Sequence, residues 1–275
     1  MMSEDMSPNY GRKKIRLYLN PEKSPGLKQG SACDLDKDQL HYLKNVMRCK
    51  TGDTLLVFDG RHGEWLAEIL ELGKKTARLA FVEQTRQQQN GPDIWLLFAP
   101  VKRARLDYMA QKATEMGATR IVPVITERTQ GGIKGGIKGG RINLDRLRAN
   151  AIEAAEQCGL LSVPQIDAAV PLAAFLDSAG ADLPPLLFCD ENLPVGGGYL
   201  ALEKLAANIS SSSSSYSVAV LIGPEGGFTP AEREMLSARD GTLPVSLGPR
   251  ILRADTAAVA ALTLCQLYIG DWQAR

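Results

Sequence analysis

Hydrophobic positions between residues 15 and 83 occur in short runs that partly alternate with polar positions, and glycine-containing turns separate the runs. Such alternation places one face of a segment in a core and the other in water, which is typical of β-strands. The predicted strands are residues 15–19, 54–58, 64–70 and 76–82. Asp59-Gly60 and Gly63 predict a hairpin between the two middle strands. This region is predicted to form one small β-barrel.

A single helix is predicted within this β-rich region, over residues 36–47. Leu40, Leu43 and Met47 lie three and four positions apart in it. Side chains at this spacing lie on the same side of an α-helix, so the three are expected to share one apolar face.

From residue 94 onward the pattern changes to buried strands that alternate with amphipathic helices. This alternation is typical of an α/β domain with a largely parallel sheet. The predicted strands are residues 94–99, 120–125, 185–189, 218–222 and 243–246. Between the first two, the residues Leu106, Met109, Ala113 and Met116 recur at helical spacing, and Gly117 ends that helix.

Two further helices are predicted from their caps and apolar stripes. Asn143 is the predicted cap of a helix that Gly159 ends, and its stripe consists of Leu144, Leu147, Ala151, Ala154 and Cys158. The last helix is expected to run from Thr256 to Gln266 or beyond, with Asp255 as its cap.

These patterns divide the chain into a disordered N-terminus (1–12), a barrel (13–84), a linker (85–92) and an α/β domain (93–275). The linker is polar and contains Gln87-Gln-Gln-Asn-Gly-Pro92. The Gly/Ile/Lys repeat at 131–140 and the serine run at 210–215 are low in complexity, so both are predicted to be loop insertions.

Composition narrows the class of protein. Of the residues, 44% are hydrophobic and 23% are charged, as in ordinary globular proteins. No run approaches the roughly 18 apolar residues of a membrane span, and no signal peptide is evident, so we expect a cytoplasmic protein. The five cysteines are scattered and never form a C-x-x-C pair, which fits neither a disulfide framework nor a thiolate zinc site, and only two histidines could serve a histidine metal site or a serine-histidine triad.

Charge is distributed unevenly along the chain although the formal net charge is only +1. Residues 100–148 contain eleven basic and four acidic side chains, whereas residues 149–275 contain six basic and fourteen acidic ones. A locally basic segment of this kind fits contact with a phosphate backbone. Solvated helix faces and a basic loop would give the same charge pattern, so charge alone leaves both interpretations open.

Two common phosphate-binding motifs are absent from the sequence. The repeat at 131–140 lacks the Lys-Ser/Thr ending of a P-loop, and no G-x-G-x-x-G follows the first α/β strand. A ligand site must therefore be sought elsewhere in the domain.

Two glycine-proline loops near the C-terminus supply that site. Gly223-Pro-Glu-Gly-Gly-Phe228 follows the strand 218–222 and precedes a helix start in which Thr229, Pro230 and Glu232 form a capping-box pattern. Leu247-Gly-Pro-Arg-Ile-Leu-Arg253 follows the strand 243–246. The two strands are predicted to be neighbours in the sheet, so the loops are expected to lie together at the edge where open α/β sheets bind ligands.

The sequences of these loops resemble those of the SPOUT superfamily of methyltransferases. Within that superfamily they resemble the RsmE family, which methylates N3 of a uridine in bacterial small-subunit ribosomal RNA. Further matches are Lys112-Ala-Thr-Glu-Met-Gly117, Glu153-Ala-Ala-Glu-Gln-Cys-Gly159 and Leu43-Lys-Asn-Val-Met-Arg48. The resemblance spans nearly the whole chain. It implies a PUA-like RNA-binding barrel, a SPOUT domain with a C-terminal trefoil knot, a homodimer, and S-adenosylmethionine as cofactor without metal or membrane.

The resemblance also implies roles for particular residues. The residues expected to bind the cofactor are Leu221, Gly223, Pro224, Gly226, Gly227, Leu247, Gly248, Ile251 and Leu252. The residues expected to contact RNA are Arg16, Arg48, Lys102, Arg103 and Lys112. Uridine N3 carries a proton, so its methylation needs a base or a cation that stabilises the uridine anion, and Glu225 and Arg253 are the catalytic candidates.

Several alternatives stay open at this level. Glu225 could instead accept hydrogen bonds from loop N–H groups, and Arg253 could pair with Asp255 or Asp190. The chain could also be a SPOUT methyltransferase of a different RNA or atom, or a non-catalytic protein of ribosome assembly. Whether the substrate is naked ribosomal RNA or the assembled small subunit is likewise not determined by the residues.

Overall fold

The computed structural model describes residues 15–272 except 25, 102, 130–141, 194–201, 204 and 207–216. Contacts within the chain divide it into two units, residues 1–89 and 90–275. The predictions for residues 1–12, the repeat at 131–140, the serine run at 210–215 and Lys102 lie outside the described residues. None of the described helices is long and apolar enough to cross a membrane.

The first unit is built around a five-stranded sheet. Its elements are β1 (Arg16–Tyr18), β2 (Ala32–Asp34), α1 (Lys37–His41), β3 (Thr54–Phe58), β4 (Glu64–Leu72) and β5 (Ala77–Arg86). The strand order is β1-β3-β4-β5-β2, and all pairs are antiparallel except β1 with β3. The hairpin between β3 and β4 is therefore confirmed. Thr85 and Arg86, assigned above to the linker, are the last residues of β5.

The predicted helix 36–47 has a different form at its C-terminal end. Asp36 caps α1 through a capping box with Gln39, but residues Tyr42–Val46 then form a π-helical turn. A π-helical turn contains more residues than an α-helical turn, so side chains beyond it rotate away from the face set by the first turn. Leu40 and Leu43 are buried, but Met47 is 38% exposed, so its predicted place on the common face is wrong.

An ion pair with Glu64 holds the Arg16 side chain inside the first unit. Its Nε donates to Glu64 Oε2 at 2.8 Å, its guanidinium lies 4.5 Å from the centre of the Phe58 ring, and the two charged side chains are only 10% and 6% exposed. Thr85 Oγ1 donates to the other Glu64 oxygen at 3.0 Å. This geometry fits a structural ion pair and argues against the predicted contact of Arg16 with RNA.

The second unit is an α/β domain. Its elements are β6 (Asp93–Phe98), α2 (Arg103–Glu115), β7 (Arg120–Ile125), α3 (Leu144–Cys158), β8 (Gln165–Ile166), β9 (Val170–Pro171), α4 (Leu172–Ala179), β10 (Leu186–Cys189), β11 (Ser217–Ile222), α5 (Pro230–Ala238), β12 (Thr242–Val245) and α6 (Ala254–Tyr268). Every strand pair described in this unit is parallel, so the predicted parallel sheet is confirmed.

Strand order corrects one prediction about the site. The order is β12-β10-β11-β6-β7-β8, with β9 beside β7. The strands that precede the two glycine-proline loops, β11 and β12, are therefore not neighbours, because β10 lies between them and pairs with both. Sequence order does not reveal this arrangement, since β10 precedes both of them in the chain.

The central strands are buried on both faces. Along β11, Val218, Val220 and Ile222 pack in a core with α2, α3 and α6, whereas Ala219 and Leu221 pack in a second core with α4 and α5. Alternate residues of a strand point to opposite faces, and a parallel sheet covered by helices on both faces reads as a continuous apolar run.

Capping residues mark where the helices begin and end. Thr229 and Glu232 form the predicted capping box of α5, and Asn143 accepts a hydrogen bond from Arg146 N at the start of α3, which Gly159 ends at φ +86°. The prediction for the last helix needs correction, because α6 begins at Ala254 with Arg253 at the cap position. Asp255 therefore lies in the first turn, where a carboxylate interacts favourably with the helix dipole.

The buried ion pair of the first unit gives a stability prediction. Arg16→Ala leaves the Glu64 carboxylate buried without its main partner, so the unfolding free energy should fall by about 3 kcal/mol in urea denaturation. Arg78→Ala is the control, because the Arg78 and Asp34 side chains are 55% and 84% exposed, and it should change stability by less than about 0.5 kcal/mol. Equal effects of the two variants would contradict the structural role of Arg16.

Candidate functional site

A cleft opens where β10, β11 and β12 end at the same edge of the sheet. It encloses about 790 Å³ of empty space, open solvent at its mouth included. Its walls come from four segments: the ends of β10 and β11 with the residues that follow them, the loop after β12, and the start of α6. The lining residues are Cys189, Asp190, Glu191, Ile222, Gly223, Pro224, Glu225, Gly226, Leu247, Gly248, Arg250, Ile251, Leu252, Ala254 and Ala257.

Most of the predicted cofactor residues line this cleft, together with Glu225. Leu221 does not, because it is fully buried in the core that faces α4 and α5. Its neighbour Ile222 lines the cleft instead. Gly227 is also outside the lining, and it packs against the carboxylate of Glu191.

The loop of residues 223–228 is held in place by two arginines, one from α2 and one from the loop after β7. Arg105 Nη1, in the first turn of α2, lies 2.8 Å from Glu225 Oε1, and Arg128 Nη1 donates to the carbonyl oxygen of Gly226 at 2.9 Å. A Cβ atom at Gly223 would lie within 2.6 Å of the Phe228 ring. Glycine at position 223 therefore allows Phe228 to close the core beneath the cleft.

The other wall, the loop of residues 247–253, has few internal partners. Within the described part of the chain, the backbone N–H groups of Leu247, Gly248, Ile251 and Leu252 have no hydrogen-bond acceptor. Gly248 adopts φ +102°, where a side chain would strain the backbone, and the Ile251 side chain is 85% exposed. Apolar side chains and free backbone donors side by side are suited to a planar heterocycle with acceptor nitrogens.

The end of β10 contributes charge to the cleft. Arg233 of α5 donates to both carboxylate oxygens of Asp190, from Nε at 2.6 Å and from Nη2 at 3.2 Å. Burial alone would raise the pKa of Asp190, but hydrogen bonds from Arg233 and Asn192 outweigh it and hold that pKa below its usual value. Burial raises the pKa of the neighbouring Cys189 thiol to about 12, so this cysteine stays protonated in the cleft.

The sequence prediction missed the residues that β10 and α6 bring to the cleft. Cys189, Asp190 and Glu191 follow a strand that the sequence did predict, but their place in the cleft depends on the strand order. A carboxylate pair directly after a buried apolar strand was the available signal. Ala254 and Ala257 are small residues in the first turns of α6, and their spacing carries no signal for a site.

The two catalytic candidates, Glu225 and Arg253, have different surroundings in the structure. Glu225 is paired with Arg105. Arg253 is exposed at the start of α6 and has no ion-pair partner among the described residues. Neither alternative pairing of Arg253 is formed, because Asp190 is taken by Arg233 and Asp255 lies 4.0 Å from Arg105.

The remaining predicted RNA contacts differ in their surroundings. Arg48 is exposed in the first unit with φ +56°, beside the exposed side chains of Val46 and Met47. Lys112 Nζ donates to both carboxylate oxygens of Glu115 at 2.7 Å. Arg103 begins α2, but its side chain lies outside the described part of the structure. In the described ranges, no group of histidine, cysteine or acidic side chains could hold a metal ion.

Comparison with known protein families defines the class of this chain as an RNA methyltransferase. A family model for an RNA methyltransferase domain matches residues 88–266, and a model for an RNA methyltransferase PUA domain matches residues 35–82. The first model covers most of the second unit, including the cleft, and the second lies within the first unit.

Individual relatives narrow this class. Ribosomal RNA small subunit methyltransferase E of Rickettsia conorii is 33% identical over 92% of this chain and 95% of its own length. The protein of the same name from a Synechocystis species is 35% identical over 82% of this chain and 69% of its own length. The chain therefore belongs to the ribosomal RNA small subunit methyltransferase E family.

Solved structures agree with this assignment. Ribosomal RNA small subunit methyltransferase E from Neisseria gonorrhoeae, solved with S-adenosylmethionine, has a TM-score of 0.76 at 26% identity and covers 94% of this chain and all of its own. A putative methyltransferase from Legionella pneumophila, solved with the same cofactor, has a TM-score of 0.74 at 29% identity, covering 94% of this chain and 99% of its own.

The ion pair between Asp190 and Arg233 gives a pH-dependent prediction. A carboxyl whose pKa is lowered by folding stabilises the native state above its unfolded pKa of about 3.9, and this stabilisation is lost as the pH falls through the folded pKa. Asp190→Asn should therefore lower the unfolding free energy by about 2 kcal/mol at pH 7, with the difference from wild type shrinking below about pH 4.

Urea denaturation over a series of pH values measures both effects. Asp240→Asn serves as the control, since Asp240 is exposed and its carboxylate has no partner among the described residues. A loss of stability in Asp190→Asn that stays constant from pH 7 to pH 3 would contradict the proposed charge pairing.

Proposed function

We propose that this chain transfers a methyl group from S-adenosylmethionine to N3 of a uridine in small-subunit ribosomal RNA. The cleft at the ends of β10, β11 and β12 carries this proposal. It lies within a matched RNA methyltransferase domain, and two structures of similar fold contain S-adenosylmethionine. The uridine, the N3 atom and the stage of ribosome maturation are expectations from the family resemblance.

The residues of the cleft fit this cofactor. The adenine ring suits the wall of residues 247–253. Leu247, Ile251 and Leu252 provide apolar surface there, and backbone N–H groups without an acceptor among the described residues are available to ring nitrogens. Gly223, Pro224 and Gly226 form the opposite wall. When bound, S-adenosylmethionine supplies a methyl group that its sulfonium already activates, so neither a metal nor a covalent nucleophile of the protein is required.

Activation of the uridine is assigned to charged side chains of the two loops that form the cleft. Loss of the N3 proton leaves an anion delocalised over the uracil ring, and a nearby cation stabilises that anion. Arg253 suits this role because it is exposed and has no partner in the described structure. Glu225 is the alternative acceptor of the N3 proton, since Arg105 engages only its Oε1 and its side chain is 54% exposed.

The architecture is proposed to follow the family. Residues 13–84 would form a PUA-like RNA-binding barrel, residues 85–92 a linker, and residues 93–275 a SPOUT domain whose C-terminal segment is threaded as a trefoil knot. Insertion of β11 between β6 and β10, strands that both precede it in the chain, is compatible with such threading. A cytoplasmic homodimer that acts on ribosomal RNA or on the small subunit completes this proposal.

Phosphate contacts would come from cations of both units. Arg48 and Arg103 remain the candidates, together with Lys112 if Glu115 releases it and with Lys102. Such contacts provide affinity without sequence information, so selection of one uridine requires RNA shape or an unstacked base. An extruded uridine would have to enter beside the methyl group at the mouth of the cleft.

Nucleoside mass spectrometry tests the proposed function. Ribosomal RNA from a strain that lacks this gene should contain no 3-methyluridine in its small subunit, and a plasmid copy should restore the modification. Persistence of 3-methyluridine would exclude the proposed product, and loss of a different modified nucleoside would assign the enzyme to another atom. If no modification changes, the non-catalytic alternative is favoured.

The role of Arg253 gives a kinetic prediction. Arg253→Ala should lower kcat by about 100-fold, the scale for removal of one group that stabilises a developing anion, while the Kd for S-adenosylmethionine stays within about twofold of wild type. Arg253→Lys keeps the charge and should retain more of the rate. Steady-state methylation assays and calorimetry measure the two quantities, and an unchanged kcat would remove Arg253 from the reaction.

A further inference from the structure

Glu191 lines the cleft, and only one of its two carboxylate oxygens is hydrogen-bonded to the described residues. Its Oε1 lies 3.4 Å from Arg233 Nη2 and accepts a hydrogen bond from Asn192 Nδ2 at 3.2 Å. Its Oε2 has no hydrogen-bond partner among the described residues, and the side chain is 38% exposed while lining the cleft. A carboxylate in a ligand cleft that has one oxygen without a partner can accept hydrogen bonds from a ligand.

Three neighbouring groups fix the position of this carboxylate. Arg233 is itself anchored by its two bonds to Asp190, whose side chain is only 4% exposed. Gly227, at φ +65°, lies directly beneath Glu191, so that a Cβ atom there would collide with Oε1. The glycine loop after β11 is therefore shaped to receive the carboxylate that follows β10.

The placement of Glu191 indicates which ligand group it would meet. It follows β10, the direct neighbour of the strand that carries the glycine loop. In open parallel sheets that bind adenosine cofactors, a carboxylate at the end of the strand beside the glycine loop accepts hydrogen bonds from the ribose hydroxyls. This chain lacks the G-x-G-x-x-G sequence, but its sheet likewise places a carboxylate beside a glycine loop.

We propose that Glu191 binds the ribose hydroxyls of the cofactor and that Asp190, Arg233 and Gly227 are its positioning residues. This inference rests on the proposed use of S-adenosylmethionine. A charge-assisted hydrogen bond of this kind contributes about 10- to 100-fold to affinity. Because the ribose is common to substrate and product, the contribution should be equal for S-adenosylmethionine and S-adenosylhomocysteine.

Calorimetry with altered ligands tests the proposal. Glu191→Ala should weaken S-adenosylhomocysteine about 10- to 100-fold, but should leave the weaker binding of its 2′,3′-dideoxy analogue unchanged. The same loss should appear with methylthioadenosine, which keeps the ribose and lacks the amino acid part. Glu234→Ala is the matched control, because Glu234 is exposed on α5 outside the cleft lining, and it should bind all three ligands like wild type.

A second variant tests the positioning of the carboxylate. Gly227→Ala places a Cβ atom against Glu191 and should weaken S-adenosylhomocysteine in the wild-type background, but much less in the Glu191→Ala background, where the colliding group is gone. Thermal denaturation of each variant checks that the fold is intact.

The outcomes separate this inference from the proposed function. Failure of the wild-type protein to bind S-adenosylhomocysteine or S-adenosylmethionine would overturn both. Wild-type binding with an unaffected Glu191→Ala variant would overturn the inference alone. An equal loss of affinity for S-adenosylhomocysteine and its dideoxy analogue in Glu191→Ala would also overturn the inference. A loss of affinity that is absent with methylthioadenosine would overturn it as well, because that result would assign Glu191 to the amino group of the ligand.

Discussion

Parallel pairing of β10 with both β11 and β12 is the constraint on which the site depends. Because all three strands run in the same direction, the segments that follow them emerge at one edge of the sheet. Two glycine-proline loops that are separated by one strand then form opposite walls, and the residues after β10 form the floor between them. The two loops line one cleft because β10 separates the strands that precede them.

The two walls of the cleft are held differently. The loop of residues 223–228 is bound by Arg105 and Arg128, and its Gly227 packs against the carboxylate of Glu191, so that three different segments of the chain contact it. In the loop of residues 247–253, by contrast, the backbone N–H groups of Leu247, Gly248, Ile251 and Leu252 have no acceptor among the residues that the structure describes. One wall is thus preorganised by the protein, while the other has hydrogen-bonding capacity left for a ligand. Preorganisation reduces the ordering cost of binding, and unsatisfied donors provide specificity.

Local features of the fold could be predicted from the sequence because their causes are local. The capping box of Thr229 with Glu232 and the cap at Asn143 depend on residues three positions apart. The alternation of strands and helices after residue 94 likewise follows from hydrophobic periodicity alone. The glycine-proline loops could be predicted as a ligand site because each follows a predicted strand.

Features that depend on distant residues escaped prediction. Arg16 was expected to contact RNA, but Glu64, 48 positions away, holds it in the interior. Leu221 was expected at the cofactor, but the pleat of β11 turns it toward α4 and α5 and leaves the cleft to Ile222. Glu191 was not considered at all, since its place beside Gly227 follows only from the strand order.

The central claim is that S-adenosylmethionine binds in the cleft at the ends of β10, β11 and β12. Ala257 of α6 lines that cleft, whereas its neighbour Thr256 is exposed and does not. Calorimetric titration with S-adenosylmethionine should therefore show saturable binding to the wild-type protein and to Thr256→Trp. Binding to Ala257→Trp should be lost, because the indole fills the cleft. Equal binding to both tryptophan variants, with both correctly folded, would contradict the account.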